Sequence, residues 1–186
     1  ITDSLIIDEP GLLTSLSTTT DVSCNALSDG SAIITINGGI TDYNISVAGF
    51  NQNLNGGINS FSIPPMLNAG SYPYSIIDSN GCILNDTINI YEPQVISVID
   101  SVNNVSCNGL SDAIAILNIS GGTAPYTENW GTNNPLALSA GSYFYSIIDD
   151  NGCLFNNLVN ITEPSAVSVS PIISNVSCFS GNDGFS

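Results

Sequence analysis

The sequence contains no lysine, no arginine and no histidine. Binding to nucleic acid depends on cationic side chains that displace counterions from phosphates, so nucleic acid is excluded as a partner. Ser–His–Asp and Cys–His catalysis, Schiff-base lysines and His-ligated zinc each need a residue type that is missing. Only carboxylate-pair or carboxylate–metal chemistry would be left to an enzyme, and no acid pair stands out, so a non-enzymatic role is expected. The same gap removes a Lys–Asn isopeptide staple. The longest apolar stretches, such as Ala32 to Ile36, stop far short of the ~20 residues that span a bilayer, so no membrane insertion is expected.

What is present is 186 residues whose charges are all negative, sixteen Asp and Glu in total. Ordinary chains are about a quarter charged with both signs mixed. The five cysteines, Cys24, Cys82, Cys107, Cys153 and Cys178, form no CxxC pair, which points to disulfides and an oxidising, extracellular compartment.

Internal repetition sets the organisation. Glu9-Pro10, Glu92-Pro93 and Glu163-Pro164 recur, each Pro followed fourteen residues later by Cys24, Cys107 or Cys178, in steps of 83 and then 71 residues. Val22-Ser23-Cys24-Asn25 returns as Val105-Ser106-Cys107-Asn108, Gly38-Gly39 as Gly121-Gly122, and Asp78-Ser79-Asn80-Gly81-Cys82 as Asp149-Asp150-Asn151-Gly152-Cys153. The expected division is residues 1–9 as the end of a preceding repeat, 10–92 as repeat 1, 93–163 as repeat 2 and 164–186 as the start of another. From Gly39 to Ala69 is 30 residues and from Gly122 to Ala140 is 18, so repeat 1 carries an insertion of twelve residues, expected in a loop or edge region.

The local pattern is β throughout. Residues 31–36, 72–77, 86–91 and 95–98 are rich in β-branched and aromatic side chains with alternating polarity. The Asn-Gly pairs at Asn80-Gly81 and Asn151-Gly152 predict type I′ hairpin turns. About seven short strands per repeat give an all-β fold of tandem Ig-like sandwiches arranged end to end.

The run Val105-Ser106-Cys107-Asn108-Gly109, Gly121-Gly122-Thr123-Ala124-Pro125-Tyr126 with Trp130, Ala140-Gly141-Ser142-Tyr143, Asp150-Asn151-Gly152-Cys153 and Thr162-Glu163-Pro164 resembles the SprB-type repeat of Bacteroidetes surface proteins. Repeat 1 is looser, with Thr41-Asp42-Tyr43 at the Ala-Pro-Tyr step and no Trp. The resemblance implies display at the cell surface, in giant gliding adhesins exported by type IX secretion. It also implies O-glycosylation at Asp-Ser/Thr-aliphatic sequences, placing candidate sites at Ser4, Thr87 and Ser101.

Each candidate site also has a plain structural reading. Trp130 and Tyr126 could stack on a sugar, but a strand-C aromatic between sheets is the usual Ig core. Asp29, Asp112, Asp149 and Asp150 are the candidate calcium ligands, calcium being the one cofactor carboxylate and carbonyl oxygens would suit; Asp in tight turns equally bonds backbone amides without metal. The Glu-Pro steps read as short, stiff joints.

Three cysteine pairings are open. If Ig topology places the A–B and F–G turns at opposite ends of a sandwich, Cys24 joins Cys153, Cys82 pairs with a preceding repeat, and Cys107 and Cys178 pair with later ones. The simpler pairing is Cys24–Cys82 with Cys107–Cys153. If Glu-Pro is a hairpin, Cys82–Cys107 and Cys153–Cys178 follow.

The expected function is that of a stalk or filament segment, whose partners are neighbouring repeats, other stalks or surface polysaccharide. The rival is a glycan- or surface-binding module in which the repeats themselves adhere.

Overall fold

Alternation of apolar and polar side chains decides which face of each strand turns inward. In β2 (Gly30–Asn37), Ala32, Ile34 and Ile36 are buried while Ile33 and Asn37 are exposed. β3 (Tyr43–Val47) buries Tyr43, Ile45 and Val47, and β6 (Gly70–Ile77) buries Tyr74 and Ile76. The computed structural model describes residues 7–184, and twelve strands and no helix run through them.

Packing divides the chain into two compact units, one of Ile1–Ser97, Ile119–Glu128 and Ile147–Phe155, the other of Val98–Asn118, Asn129–Ser146 and Asn156–Ser186. The first holds a complete sandwich. With β1 (Thr14–Thr20), β4 (Phe50–Leu54), β5 (Ser60–Leu67) and β7 (Ile83–Ile90), its sheets have the orders β1–β2–β5 and β4–β3–β6–β7. These correspond to strands A, B and E on one side and C′, C, F and G on the other, an Ig-like arrangement. The pairings are antiparallel, with Ser17 opposite Ile34, Ile45 opposite Ile76 and Ile76 opposite Leu84. Ile34, Ile45 and Ile76 are completely buried, each contributing roughly 1.5–3 kcal/mol by leaving water.

The twelve extra residues of repeat 1 lie in the stretch that builds β4, an edge strand paired with β3 from Tyr43↔Leu54 to Val47↔Phe50. The strands of repeat 2 are β8 (Ser97–Asn103), β9 (Ile114–Ser120), β10 (Thr127–Asn129), β11 (Gly141–Ile148) and β12 (Leu154–Ile161), in sheets β8–β9 and β10–β11–β12. Lacking the insertion, repeat 2 reduces strand E to the single bridge Ala113↔Leu138. In the second unit Trp130 is buried and packs on Tyr145 with ring centroids 5.0 Å apart. It occupies the position that Val47 holds in repeat 1.

Two local expectations need correction. The first strand of repeat 2 was expected over residues 95–98 and lies at Ser97–Asn103. The chain before it is spent on the Gly-Gly turn, where the Gln94 carbonyl accepts the Gly122 amide at 2.7 Å. The Asn-Gly hairpins are not type I′, which would need positive φ at both central residues. Only Gly81 (φ 82°) and Gly152 (φ 83°) are left-handed. Instead Asp78 and Asp149 accept the Gly81 and Gly152 amides on their carbonyls, a type I turn followed by a left-handed glycine.

The Gly-Gly motif has a steric cause. Gly38 (φ 72°) and Gly121 (φ 72°) lie so close to the start of strand A that a Cβ would fall 2.0 Å from the carbonyl oxygens of Leu12 and Val95. The turn is then held by Tyr43 Oη, donating to Gly38 O at 2.7 Å, and Tyr126 Oη, donating to Gly121 O at 2.6 Å.

Candidate functional site

The repeated cysteines sit in two kinds of loop. The first follows strand A. Asp29 accepts the Ser23 amide at 3.0 Å and the Ser23 hydroxyl, and the Cys24 carbonyl accepts the Leu27 amide. Ala26 is left-handed there (φ 63°), and its amide donates to Glu92 Oε2 at 2.7 Å while Asn25 Nδ2 donates to Pro93 O. Repeat 2 reproduces each bond, with Ser106 on Asp112, Gly109 N on Glu163 Oε2 at 2.7 Å and Asn108 Nδ2 on Pro164 O. A third copy of the loop closes through Ser177 and Asp183. The Glu-Pro step, read from sequence as a joint, therefore also latches the end of each repeat to the loop near its beginning.

The second loop precedes strand G. Asp149 is almost completely buried, yet its carboxylate is fully engaged: Oδ1 accepts the amides of Asn151 and Cys153, and Oδ2 that of Thr123 at 2.8 Å. Asp78 does the same in repeat 1 with Asn80, Cys82 and Ile40. Three amides on one carboxylate hold the turn and aim its cysteine outward.

Within the first unit the two loop types meet. Cys24 and Cys153 form a disulfide with Cα atoms 5.6 Å apart, and Asn151 Nδ2 donates to Ser23 O at 2.9 Å beside it. A Cys24–Cys82 bond is ruled out by the topology. The Val22 amide donates to Tyr91 O, placing the far end of β7 at Cys24's turn, so Cys82, at the near end, is a strand of eight residues away, about 26 Å. Cys82, Cys107 and Cys178 are free and exposed.

The remaining candidates fall in ordinary places. Asp29 and Asp112 are occupied by Ser23 and Ser106, Asp149 by its three amides, and Asp150 is exposed. Among the described residues no group of three or more His, Cys, Asp or Glu is placed to hold a metal ion. Thr87 is exposed on β7 and Ser101 on β8, whereas Ser4 lies outside the described residues. Trp130 presents no open ring face, being 6% exposed; its neighbour Phe144 is 74% exposed.

Hydrogen bonds tune the loop acids. The Ser23 hydroxyl, and then its amide, hold Asp29 below the ordinary carboxylate value, against an opposing push from burial; Asp112 is lowered in the same way by Ser106. A carboxylate whose folded pKa is lowered stabilises the fold above its unfolded value and loses that contribution as pH falls through the folded one. The stability difference between wild type and Asp29→Ala is therefore expected to be full at pH 7 and to close below pH 3.8, measured by urea unfolding across pH.

Ala26 and Gly109 occupy equivalent left-handed positions. A left-handed residue with a Cβ costs about 1–2 kcal/mol. Ala26→Gly is expected to stabilise repeat 1 by about 1 kcal/mol and Gly109→Ala to destabilise repeat 2 by a similar amount, both read as shifts in the denaturant midpoint.

Fold and loops together define a tandem-repeat, Ig-like β protein with a recurring cysteine loop. The SprB repeat family model matches two segments of the chain, residues 16–49 and 99–134. Each match begins within strand A and runs through the cysteine loop, strand B and the Gly-Gly turn to strand C. The Asn-Gly-Cys turns lie outside both. SprB repeats occur in cell-surface proteins, and among the described residues no helix is long and apolar enough to cross a membrane. No curated protein matches the chain.

Proposed function

We propose that the chain is a structural segment of the stalk of a giant secreted adhesin, holding an adhesive region away from the cell surface, with no enzymatic activity and no bound cofactor. The observation that carries this reading is the cross-link from Cys24 to Cys153, which ties repeat 1 to the strand G turn of repeat 2 across 129 residues. Such a bond limits how far the chain extends when tension opens the sandwich. The all-negative surface supports the same role, because like charges oppose lateral clumping over the ~8 Å that salt leaves unscreened. Surface display through type IX secretion, and service in gliding, accord with it.

In cells displaying the whole protein, deletion of residues 93–163 is expected to shorten the filament seen by electron microscopy and to leave ligand specificity unchanged. The adhesive reading makes the opposite demand of the isolated chain. Saturable retention on surface polysaccharide, lost in Phe144→Ala with the β-sheet circular dichroism intact, would replace the stalk with a binding module. Phe144 is the informative position because truncating the buried Trp130 would disturb the core as well.

A further inference from the structure

The turn half of the Cys24–Cys153 junction is built twice and the loop half three times, and only one pair is joined. The loop half recurs at Cys107 with every internal hydrogen bond of the Cys24 loop, from Ser106 on Asp112 to Gly109 on Glu163. The turn half recurs at Cys82, where Asp78 accepts the same three amides that Asp149 accepts beside Cys153. Cys82 and Cys107 are exposed thiols. Their equivalents are disulfide-bonded in the same molecule, so each thiol is a preformed half of a junction whose complement is known in atomic detail.

We infer that Cys107 and Cys178 each receive the Asn-Gly-Cys turn of the repeat that follows their own, and that Cys82 receives the Ser-Cys-Asn loop of the repeat that precedes it. The array is then bonded from loop to turn at each successive junction, and no cysteine bonds inside its own repeat. This holds whether the repeats bear load or bind a ligand, so it does not depend on the stalk reading.

The chemistry requires a disulfide oxidant, small-molecule or protein. The Cys107 thiolate attacks it and expels one thiol; the partner thiolate then attacks the Cys107 sulfur of the mixed disulfide and expels the other. Two cysteine thiols are oxidised, the oxidant is reduced to two thiols, and the two protons leave with them. The Asn80 side chain is placed to repeat the second contact, donating to the Ser carbonyl of the incoming loop as Asn151 does to Ser23.

The test extends the chain in register. Cys178 stands to Cys24 as residue 186 stands to residue 32, so residues 33–186 are appended after Ser186 and the product is oxidised with a glutathione redox buffer. The product has nine cysteines, five from the chain and four appended. The inference expects peptide mapping without reduction to recover Cys24–Cys153, Cys107 bonded to the appended Cys82, and Cys178 bonded to the appended Cys153. Three thiols then react with a thiol reagent, where bonding of Cys24 to Cys153 alone would leave seven. Recovery of Cys107 as a free thiol, or bonded within its own repeat, overturns the inference. If that junction does not fold, appending residues 116–186 poses the same question with the appended Cys153 as the partner of Cys107, and the same two outcomes decide it.

Discussion

Breaking the Cys24–Cys153 bond is expected to lower the stability of the first unit by up to about 5 kcal/mol. The bond closes a loop with a sequence separation of 129, and the chain-entropy account of cross-links gives roughly that value for a loop so long. The comparison is a protein that keeps Cys24 and Cys153 against one with Cys24→Ser and Cys153→Ser, followed through urea unfolding by circular dichroism. Both carry Cys82→Ser, Cys107→Ser and Cys178→Ser to prevent reshuffling. Those three positions are exposed, so their replacement is expected to stay within about 0.5 kcal/mol. A loss under about 1 kcal/mol would show that the unfolded chain gains little freedom when the bond is absent, and that the junction is held by packing instead.

The second large effect is expected at Asp149. Its carboxylate is the shared acceptor for the amides of Thr123, Asn151 and Cys153, and alanine leaves all three without their partner. An amide deprived of its acceptor costs roughly 1–3 kcal/mol when water cannot reach it. Asn151 lies at the surface and Thr123 and Cys153 are half-buried, so the sum is about 2–4 kcal/mol. Asp149→Asn should fall between wild type and Asp149→Ala. The amide oxygen can still accept from Asn151 and Cys153, but the NH₂ group would face the Thr123 amide, donor against donor. Equal stability of all three proteins in urea would remove Asp149 from its place as organiser of the turn.

These residues show what the sequence makes legible and where it stops. Strands B, F and G could be read because their alternation is local and the repeat prints it twice; Ile34 and Ile76 follow from period two alone. The cysteine loops could be found by their spacing from Glu-Pro. The bond of Glu92 to the Ala26 amide could not, since its partner is 66 residues away and nothing in a Glu-Pro dipeptide signals an acceptor. The recurrence of Glu before Pro at the end of both repeats, at Glu92 and Glu163, was the one available hint. Asp149 reads as an ordinary turn residue, and its burial depends on Thr123 arriving from the neighbouring turn. The twelve-residue insertion was visible as a length difference, but its part in building an edge strand emerges only from the pairing of β4 with β3.

The latch between Gly11 and Gly39, and that between Val22 and Tyr91, fix where the first sandwich is gripped. The chain reaches β1 at the Gly38 end and leaves β7 at the Cys24 end, so the two attachment points are separated by the length of a strand. Tension applied through residues 11 and 91 therefore runs parallel to the strands and loads the ladder bonds of β1 with β2, and of β7 with β6, in shear. Bonds loaded this way share the load and must fail together, whereas a hairpin pulled from its open end would lose them one at a time.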